Sequence, residues 1–175
     1  MTAQPEFSRI VRIDTLGTKP RQISIDADEG ERAALARRFH LVAIDGLKAE
    51  AALTLAGGTV TATGTLSAKV TQSCVATSLP VEAEVEEEFR ILFRPEPKDG
   101  AEDEIELSEA ECDVVFYTGA AIDVGDAIAE TLSLSLDPYP RSPDADTVLR
   151  EAGIKSESEA GPFGALAGLR DKLKG

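Results

Sequence analysis

The stretch that decides the fold runs from residue 47 to residue 70 and reads LKAEAALTLAGGTVTATGTLSAKV. Two arms with alternating apolar and polar residues, 47–55 and 59–70, flank the pair Gly57 and Gly58. Adjacent glycines readily adopt the positive φ angles of tight hairpin turns, and alternation with a period of two is typical of half-buried strands. The threonines of the second arm suit an antiparallel strand with one exposed face. The stretch therefore predicts a long β-hairpin.

The sequence on both sides of the hairpin predicts further strands and helices. Residues 7–13 and 22–25 alternate as strands do, and residues 26–39 form a helix capped by Asp26 or Asp28. Residues 81–93 are interpreted as a third long strand with a phase shift and a bulge at 86–88, although their glutamates also fit a helix. Short strands follow at 105–107 and 112–117. We expect an α+β fold, a twisted antiparallel sheet or open β-barrel with two or three helices packed on it.

Residues 122–140 predict one amphipathic helix that leads into an extended proline segment. Val124, Ile128 and Leu132 recur every four residues and make an apolar stripe. Pro138 and Pro140 then end the helix and keep the chain extended. The segment is therefore expected to pack on the sheet through one face.

Polar and aromatic residues of the same segment are candidates for binding. Asp123 is suited to capping the helix, and Asp126 and Glu130 lie on the same helical side. These three acids are interpreted either as helix-capping charges or as contacts for a cationic partner. Tyr139, between two prolines, is either a latch that folds onto the sheet or an exposed binding residue.

Composition indicates one folded domain with a tail. The chain has 175 residues, of which 42% are hydrophobic, and two cysteines. We predict a single α+β domain over 1–140, followed by a proline- and glycine-rich tail over 141–175 that contains a short amphipathic helix. The absence of a signal-peptide core in residues 1–20, of a long apolar run and of a disulfide framework predicts a cytoplasmic protein.

The negative charge is concentrated in the middle of the chain. Residues 82–130 contain 17 acidic and 3 basic residues, which equals the net charge of −14 for the whole chain. Residues 1–40 contain 7 basic and 6 acidic residues. Such a distribution repels phosphate backbones and attracts cationic partners in a salt-dependent manner. Broad nucleic-acid binding through the middle of the chain is therefore disfavoured.

The sequence contains few residues suited to catalysis. His40 is the only histidine and follows a predicted helix, so we interpret it as a helix-terminal surface residue. No nucleophile elbow, dinucleotide fingerprint or P-loop is found, and the two cysteines lack metal-ligand spacing. We predict no enzymatic activity, no cofactor and no metal.

Several motifs, taken in order, carry a resemblance to a known family. They are QSCVAT at 72–77, LPV at 79–81, EFRILF at 88–93, IDVGD at 122–126, ETLSL at 130–134, DPYP at 137–140 and PFGALAGL at 162–169. From residue 46 onward the chain resembles the YceD-like family of large ribosomal RNA subunit accumulation proteins, in the form typical of α-proteobacteria. Many relatives carry Cys-x-x-Cys pairs, one matching Cys74 and one after the proline segment. Here Thr77 occupies the partner position, and no cysteine follows Pro140.

The resemblance implies a non-enzymatic role in large-subunit ribosomal RNA accumulation or processing during ribosome biogenesis. The expected partner of the acidic region is a basic ribosomal protein or assembly factor. Contact with large-subunit ribosomal RNA is expected, if at all, through N-terminal arginines. Alternatives are a metal-assisted nuclease that uses carboxylates, or a small-ligand site in a β-barrel mouth. The arginines are Arg9, Arg12, Arg21, Arg37 and Arg38, and the candidate binding residues are Cys74, Asp123, Asp126, Glu130, Pro138, Tyr139 and Pro140.

Overall fold

A computed structural model describes residues 6–97 and 113–154. In chain order the elements are β1 (Ile10–Arg12), a 3-10 turn (Ile13–Thr15), β2 (Arg21–Asp26), α1 (Glu29–Arg38), β3 (Ala43–Ala56), β4 (Thr59–Ser73), β5 (Pro80–Pro95), β6 (Val114–Tyr117), β7 (Ala121–Asp123), α2 (Val124–Ser135) and α3 (Ala145–Glu151). They belong to two compact units. Met1–Gln72 and Glu82–Asp137 form the first, and Ser73–Val81 and Pro138–Gly175 form the second.

The main sheet of the first unit has five strands in the order β2-β3-β4-β5-β6. It is built on the predicted hairpin, in which Ala56 pairs with Thr59 across a two-residue turn. Gly57 and Gly58 have φ angles of 56° and 82°, as a type I′ turn requires. The sheet is open, with β2 and β6 at its two ends. The predicted α+β class is confirmed, and its main sheet is open. A closed barrel is not formed, and the alternative of a ligand site in a barrel mouth therefore lacks its scaffold.

Three local predictions about strands need correction. β5 and β6 pair in parallel, because the long connection between Pro95 and Val114 can return the chain to the same end of the sheet. β1 is shorter than predicted, since residues 13–15 turn into a 3-10 helix. The phase shift predicted at 86–88 is wrong, because the alternation of the strand continues through these residues. Odd-numbered residues such as Val85 and Phe89 point inward, although Glu87 between them is exposed. The pairing of β3 with β4 contains a register shift between Ile44 and Gly46 of β3.

The core of the first unit lies between the sheet and helices α1 and α2. α1 begins at a capping box in which the Asp28 carboxylate accepts from the Glu31 amide and the Glu31 side chain accepts from the Asp28 amide. Leu35 faces the core and is fully buried. Val124, Ile128 and Leu132 of α2 are likewise fully buried, which confirms the predicted stripe.

A second, two-stranded sheet joins the beginning and the end of the first unit. β1 and β7 are antiparallel, with Val11 opposite Ile122. α2 starts directly after β7, and a Cβ at Gly125 would lie 2.7 Å from the Phe7 carbonyl oxygen. The residue must therefore be glycine for the N-terminal segment to pack this closely against the helix.

The second unit connects the loop after β4 with the chain that follows α2. Within it the Val75 amide donates to the Pro140 carbonyl at 2.9 Å. The sequence predicts a domain boundary at residue 140, whereas the division by contacts falls after Asp137 and places residues 73–81 with the later segment. α3 lies in the segment that the sequence predicts as the beginning of the tail over 141–175.

Other predictions lie outside the described residues. They are the strand at 105–107, the start of the strand predicted at 112–117 and the short amphipathic helix of the tail. Among residues 6–97 and 113–154, no helix is long and apolar enough to cross a membrane.

Candidate functional site

The Asp123 carboxylate joins the start of α2 to the N-terminal segment. Its Oδ1 accepts from the amides of Gly125 and Asp126 at 3.1 and 3.2 Å, which caps the helix. The same oxygen accepts from the Arg9 amide at 2.8 Å, and Oδ2 accepts from the Ser8 hydroxyl at 2.6 Å. Both oxygens are therefore occupied by neighbours within the first unit.

Asp126 and Glu130 both face Arg38, at the end of α1. The guanidinium of Arg38 donates to Asp126 at 2.8 Å and lies 3.9 Å from Glu130 and 3.4 Å from Glu6. The hydrogen bond to Asp126 raises the pKa of Arg38 above its ordinary value. These acids hold α1 and α2 together by ion pairs at a partly exposed position. The geometry thus supports the helix-stabilising interpretation of the three predicted acids.

Cys74 lies in the second unit and is buried, with 2% of its surface exposed. Its Sγ accepts a hydrogen bond from the Ser142 amide at 3.3 Å. That bond, followed by one from the Thr77 hydroxyl, stabilises the thiolate and lowers the pKa of Cys74 to about 7. The turn is closed by hydrogen bonds from the Cys74 amide to Leu79 and from the Ser78 amide to Cys74, both 2.8 Å.

The surroundings of Cys74 do not fit a metal ion. Thr77 approaches the sulfur through its hydroxyl, and Ser142 approaches it through its backbone amide. Both groups donate hydrogen bonds to the sulfur, whereas a metal needs lone pairs directed at it. In the described part of the chain, no group of three or more His, Cys, Asp or Glu residues is arranged to hold a metal.

The three candidate residues of the proline segment differ in their exposure to solvent. Pro140 is buried and accepts from Val75, whereas Pro138 is exposed. The side chain of Tyr139 is 76% exposed. Pro140 is therefore the buried residue of the three, and both interpretations of Tyr139 stay predictions.

The acidic strand β5 presents most of its charge to solvent. Glu84 forms an ion pair with Lys69 at 2.9 Å. The remaining glutamates of residues 82–88 are exposed and form no ion pair within the described residues. The strand alternation explains this arrangement, since apolar residues fill its inner face. Residues 82–88 of β5 therefore form a negatively charged surface that ion pairs within the described residues leave largely uncompensated.

Most of the N-terminal arginines that were candidates for RNA contact have intramolecular partners. Arg9 donates to Glu31 at 2.6 Å, Arg12 to Asp14 at 2.5 Å and Arg21 to Thr15 at 2.7 Å. Arg38 is bound as described above. Arg37 alone among the five has no side-chain partner among residues 6–97 and 113–154. An RNA surface built from these arginines would have to break several existing contacts.

Sequence reasoning missed two residues that shape these sites. Ser142 reaches Cys74 across 68 residues of sequence, and no local pattern signals such a contact. The sequence places Arg38 near the end of a helix and among the candidates for RNA contact, but it gives no carboxylate partner for it. A partner on α2 could have been inferred only from the packing of the two helices.

Taken together, the fold and these surfaces define an acidic α+β protein with an open sheet, one strongly anionic strand and a separate cysteine-containing unit. The chain belongs to the YceD family, described as large ribosomal RNA subunit accumulation protein, whose model matches residues 62–170. The match includes β5, α2 and the Cys74 loop. No curated protein and no solved structure matches the chain significantly.

Proposed function

We propose that this protein supports the accumulation or processing of large-subunit ribosomal RNA as a non-enzymatic factor of the cytoplasm that binds a basic ribosomal protein or assembly factor. Membership of the family connects the chain with the large ribosomal RNA subunit. The exposed carboxylates of β5 carry the rest of the proposal, because they offer a dense negative surface in which only Glu84 has an ion-pair partner among the described residues.

A protein partner fits this surface better than RNA does. RNA backbones are anionic and would be repelled by β5, whereas ribosomal proteins and their assembly factors are rich in lysine and arginine. Charge complementarity of this kind mainly accelerates encounter and decreases with ionic strength. A contact with ribosomal RNA would then be made through the bound protein.

The non-enzymatic part of the proposal rests on the contacts that Asp123 and Asp126 already make within the protein. A metal-assisted nuclease needs acidic groups that converge on a reacting phosphate. Asp123 is bound by Ser8 and by backbone amides, and Asp126 is bound by Arg38. We expect purified protein to leave precursor ribosomal RNA intact in the presence of magnesium. Cleavage that is lost on Asp123→Ala/Asp126→Ala substitution would contradict this expectation.

Affinity capture from cells tests the proposal directly. Tagged protein is recovered at about 50 mM and about 300 mM salt, a range over which screening strengthens markedly. The bound proteins and RNA are then identified. We expect large-subunit ribosomal proteins or precursor particles at low salt and a clear loss at high salt. Their absence from the low-salt fraction would overturn the proposal.

A further inference from the structure

A continuous groove runs along the outer face of the sheet in the first unit, and we call it the outer groove. Three adjoining cavities of about 450, 230 and 370 Å³ make it up. The first two share Lys48, Ser67 and Glu86 in their walls, and the second and third share Lys69 and Glu84. Along β5 it extends over residues 82–88, which corresponds to roughly 20 Å of strand.

The groove follows from side-chain length on three neighbouring strands. β4 lies between β3 and β5 and presents the short side chains of Thr65 and Ser67 outward. Lys48 and Glu50 project from β3, and longer glutamates project from β5. Along Thr65 and Ser67 this arrangement leaves a channel with a hydroxyl-lined floor, whereas farther along β4 Lys69 lies in the walls of two cavities and pairs with Glu84.

The charge of the outer groove is strongly negative. Without Glu87, which the strand alternation places toward the opposite face, six carboxylates and two lysines line it, which leaves a charge of −4. Both lysines are already paired, Lys48 with Asp26 at 3.0 Å and Lys69 with Glu84 at 2.9 Å. The glutamates at positions 86, 87 and 88 form no ion pair within the described residues.

These carboxylates lie close enough to repel one another. Alternate residues of a strand are about 7 Å apart on one face, which is less than the screening length at physiological salt. The repulsion destabilises the free protein and is relieved when cationic groups enter the groove. Positive side chains of a partner therefore gain both direct attraction and relief of this repulsion.

We infer that the outer groove binds an extended peptide segment rich in lysine and arginine, with its cationic side chains directed at the glutamates of β5 and its backbone over the hydroxyls of β4. This inference rests on the proposed function and specifies the part of the partner that is recognised. The width of one strand, the length of the channel and its charge all match a single extended chain of about six residues.

Fluorescence anisotropy with a labelled peptide of about eight residues, alternating lysine and serine, tests the groove itself. Glu86→Gln/Glu88→Gln removes two wall charges, and we expect it to weaken binding about tenfold. Ser67→Tyr fills the floor without changing the charge and is expected to weaken binding to a similar extent. Circular dichroism and melting curves confirm that each variant is folded.

The matched control is Glu29→Gln/Glu96→Gln, which removes two exposed carboxylates outside the groove. We expect this control to change affinity less than about twofold, since distant charges are screened. Equal weakening by control and groove variants, or unchanged binding of Ser67→Tyr, would overturn the inference in favour of diffuse charge attraction. Binding of a labelled single-stranded RNA of similar length in place of the peptide would also overturn it.

Cellular capture with the same variants separates this inference from the proposed function. If wild-type protein recovers ribosomal proteins and the groove variants recover them equally, the inference about the outer groove is wrong and the proposed function stands. If wild-type protein recovers none of them, the proposed function fails, while the peptide measurement still decides whether the groove binds a cationic segment.

Discussion

His40 ends α1 in a conformation that costs the folded state free energy. Its φ is 56°, in the left-handed region that disfavours residues with a Cβ. The Leu41 amide donates to Ala36 at 2.9 Å and the His40 amide to Arg37 at 3.4 Å, which together form a Schellman motif. Glycine is the usual residue at this position of the motif. The lone histidine of the chain is therefore a helix-terminating residue in the structure, as the sequence predicts.

Replacing His40 with glycine should stabilise the protein. We expect His40→Gly to raise the free energy of unfolding by about 1 kcal/mol, because glycine adopts this φ without steric cost. Urea denaturation measures the change. His40→Ala is the control, since alanine keeps the strain and should give no gain. Equal stability of both variants would show that the turn does not strain the residue.

The Cys74 thiol should titrate near neutral pH. Hydrogen bonds from the Ser142 amide and the Thr77 hydroxyl lower its pKa from 9.0 to about 7. The ultraviolet absorbance of the thiolate, measured in a Cys112→Ser background, should give a midpoint about there. Thr77→Val should raise the pKa because it removes one donor. A midpoint at the ordinary thiol value with and without Thr77 would contradict the geometry.

This titration also predicts how stability depends on pH. Because the folded-state pKa lies below the unfolded value, the thiolate contributes stability that is complete above pH 9 and is lost as the pH falls through 7. Compared with a Cys74→Ser variant, wild-type protein should gain stability between pH 7 and pH 9. Denaturation curves of both proteins at several pH values within this window provide the measurement.

At the scale of elements, the two acids at the start of α2 have unequal structural roles. Asp123 caps the helix and holds the N-terminal segment through four hydrogen bonds. Asp126 forms an ion pair with Arg38 in which both side chains are about one-third exposed. Caps of this kind contribute more than partly exposed ion pairs, so the two positions should respond differently to substitution.

We expect Asp123→Ala to lower the free energy of unfolding by about 2 kcal/mol and Asp126→Ala by less than about 1 kcal/mol. Only the Asp126 effect should decrease markedly when salt is added, because the ion pair is screened. Urea denaturation at low and high salt measures both. A loss at Asp126 that equals or exceeds the loss at Asp123, or a loss at Asp123 that decreases markedly with salt, would contradict these roles.

Local sequence patterns predict those elements whose pairing partners are near in the chain. The hairpin of β3 and β4 follows from its alternation and from Gly57 and Gly58, and α1 follows from Asp28 and Glu31. The parallel pairing of β5 with β6 has no local signal, because it depends on the path of the connection between them. The pairing of β1 with β7 is likewise set by tertiary packing, and residues 13–15 could not be distinguished from a strand by alternation.

At the scale of the whole molecule, the sequence predicts the charge distribution and the family, but it does not predict which acidic residues have partners within the protein. The concentration of acidic residues in 82–130 is visible in the sequence, and the family motifs define the ribosomal connection. Which acids have internal partners depends on Arg38, Lys69 and backbone amides that fold beside them. The outer groove could have been anticipated from short outward residues on β4, but only once β4 is known to lie between β3 and β5.

The pairing of β1 with β7 has a consequence for how the chain is made. Ile10 lies opposite Asp123, and Ser8 bonds Asp123 across 115 residues. Closing so long a loop is entropically costly, and during synthesis the partner does not yet exist. Phe7 and Val11 are buried in the folded protein, but they therefore remain exposed to solvent until the residues of the five-stranded sheet have been synthesised. β1 is synthesised long before its partner β7 and can pair with it only after the intervening strands have been made.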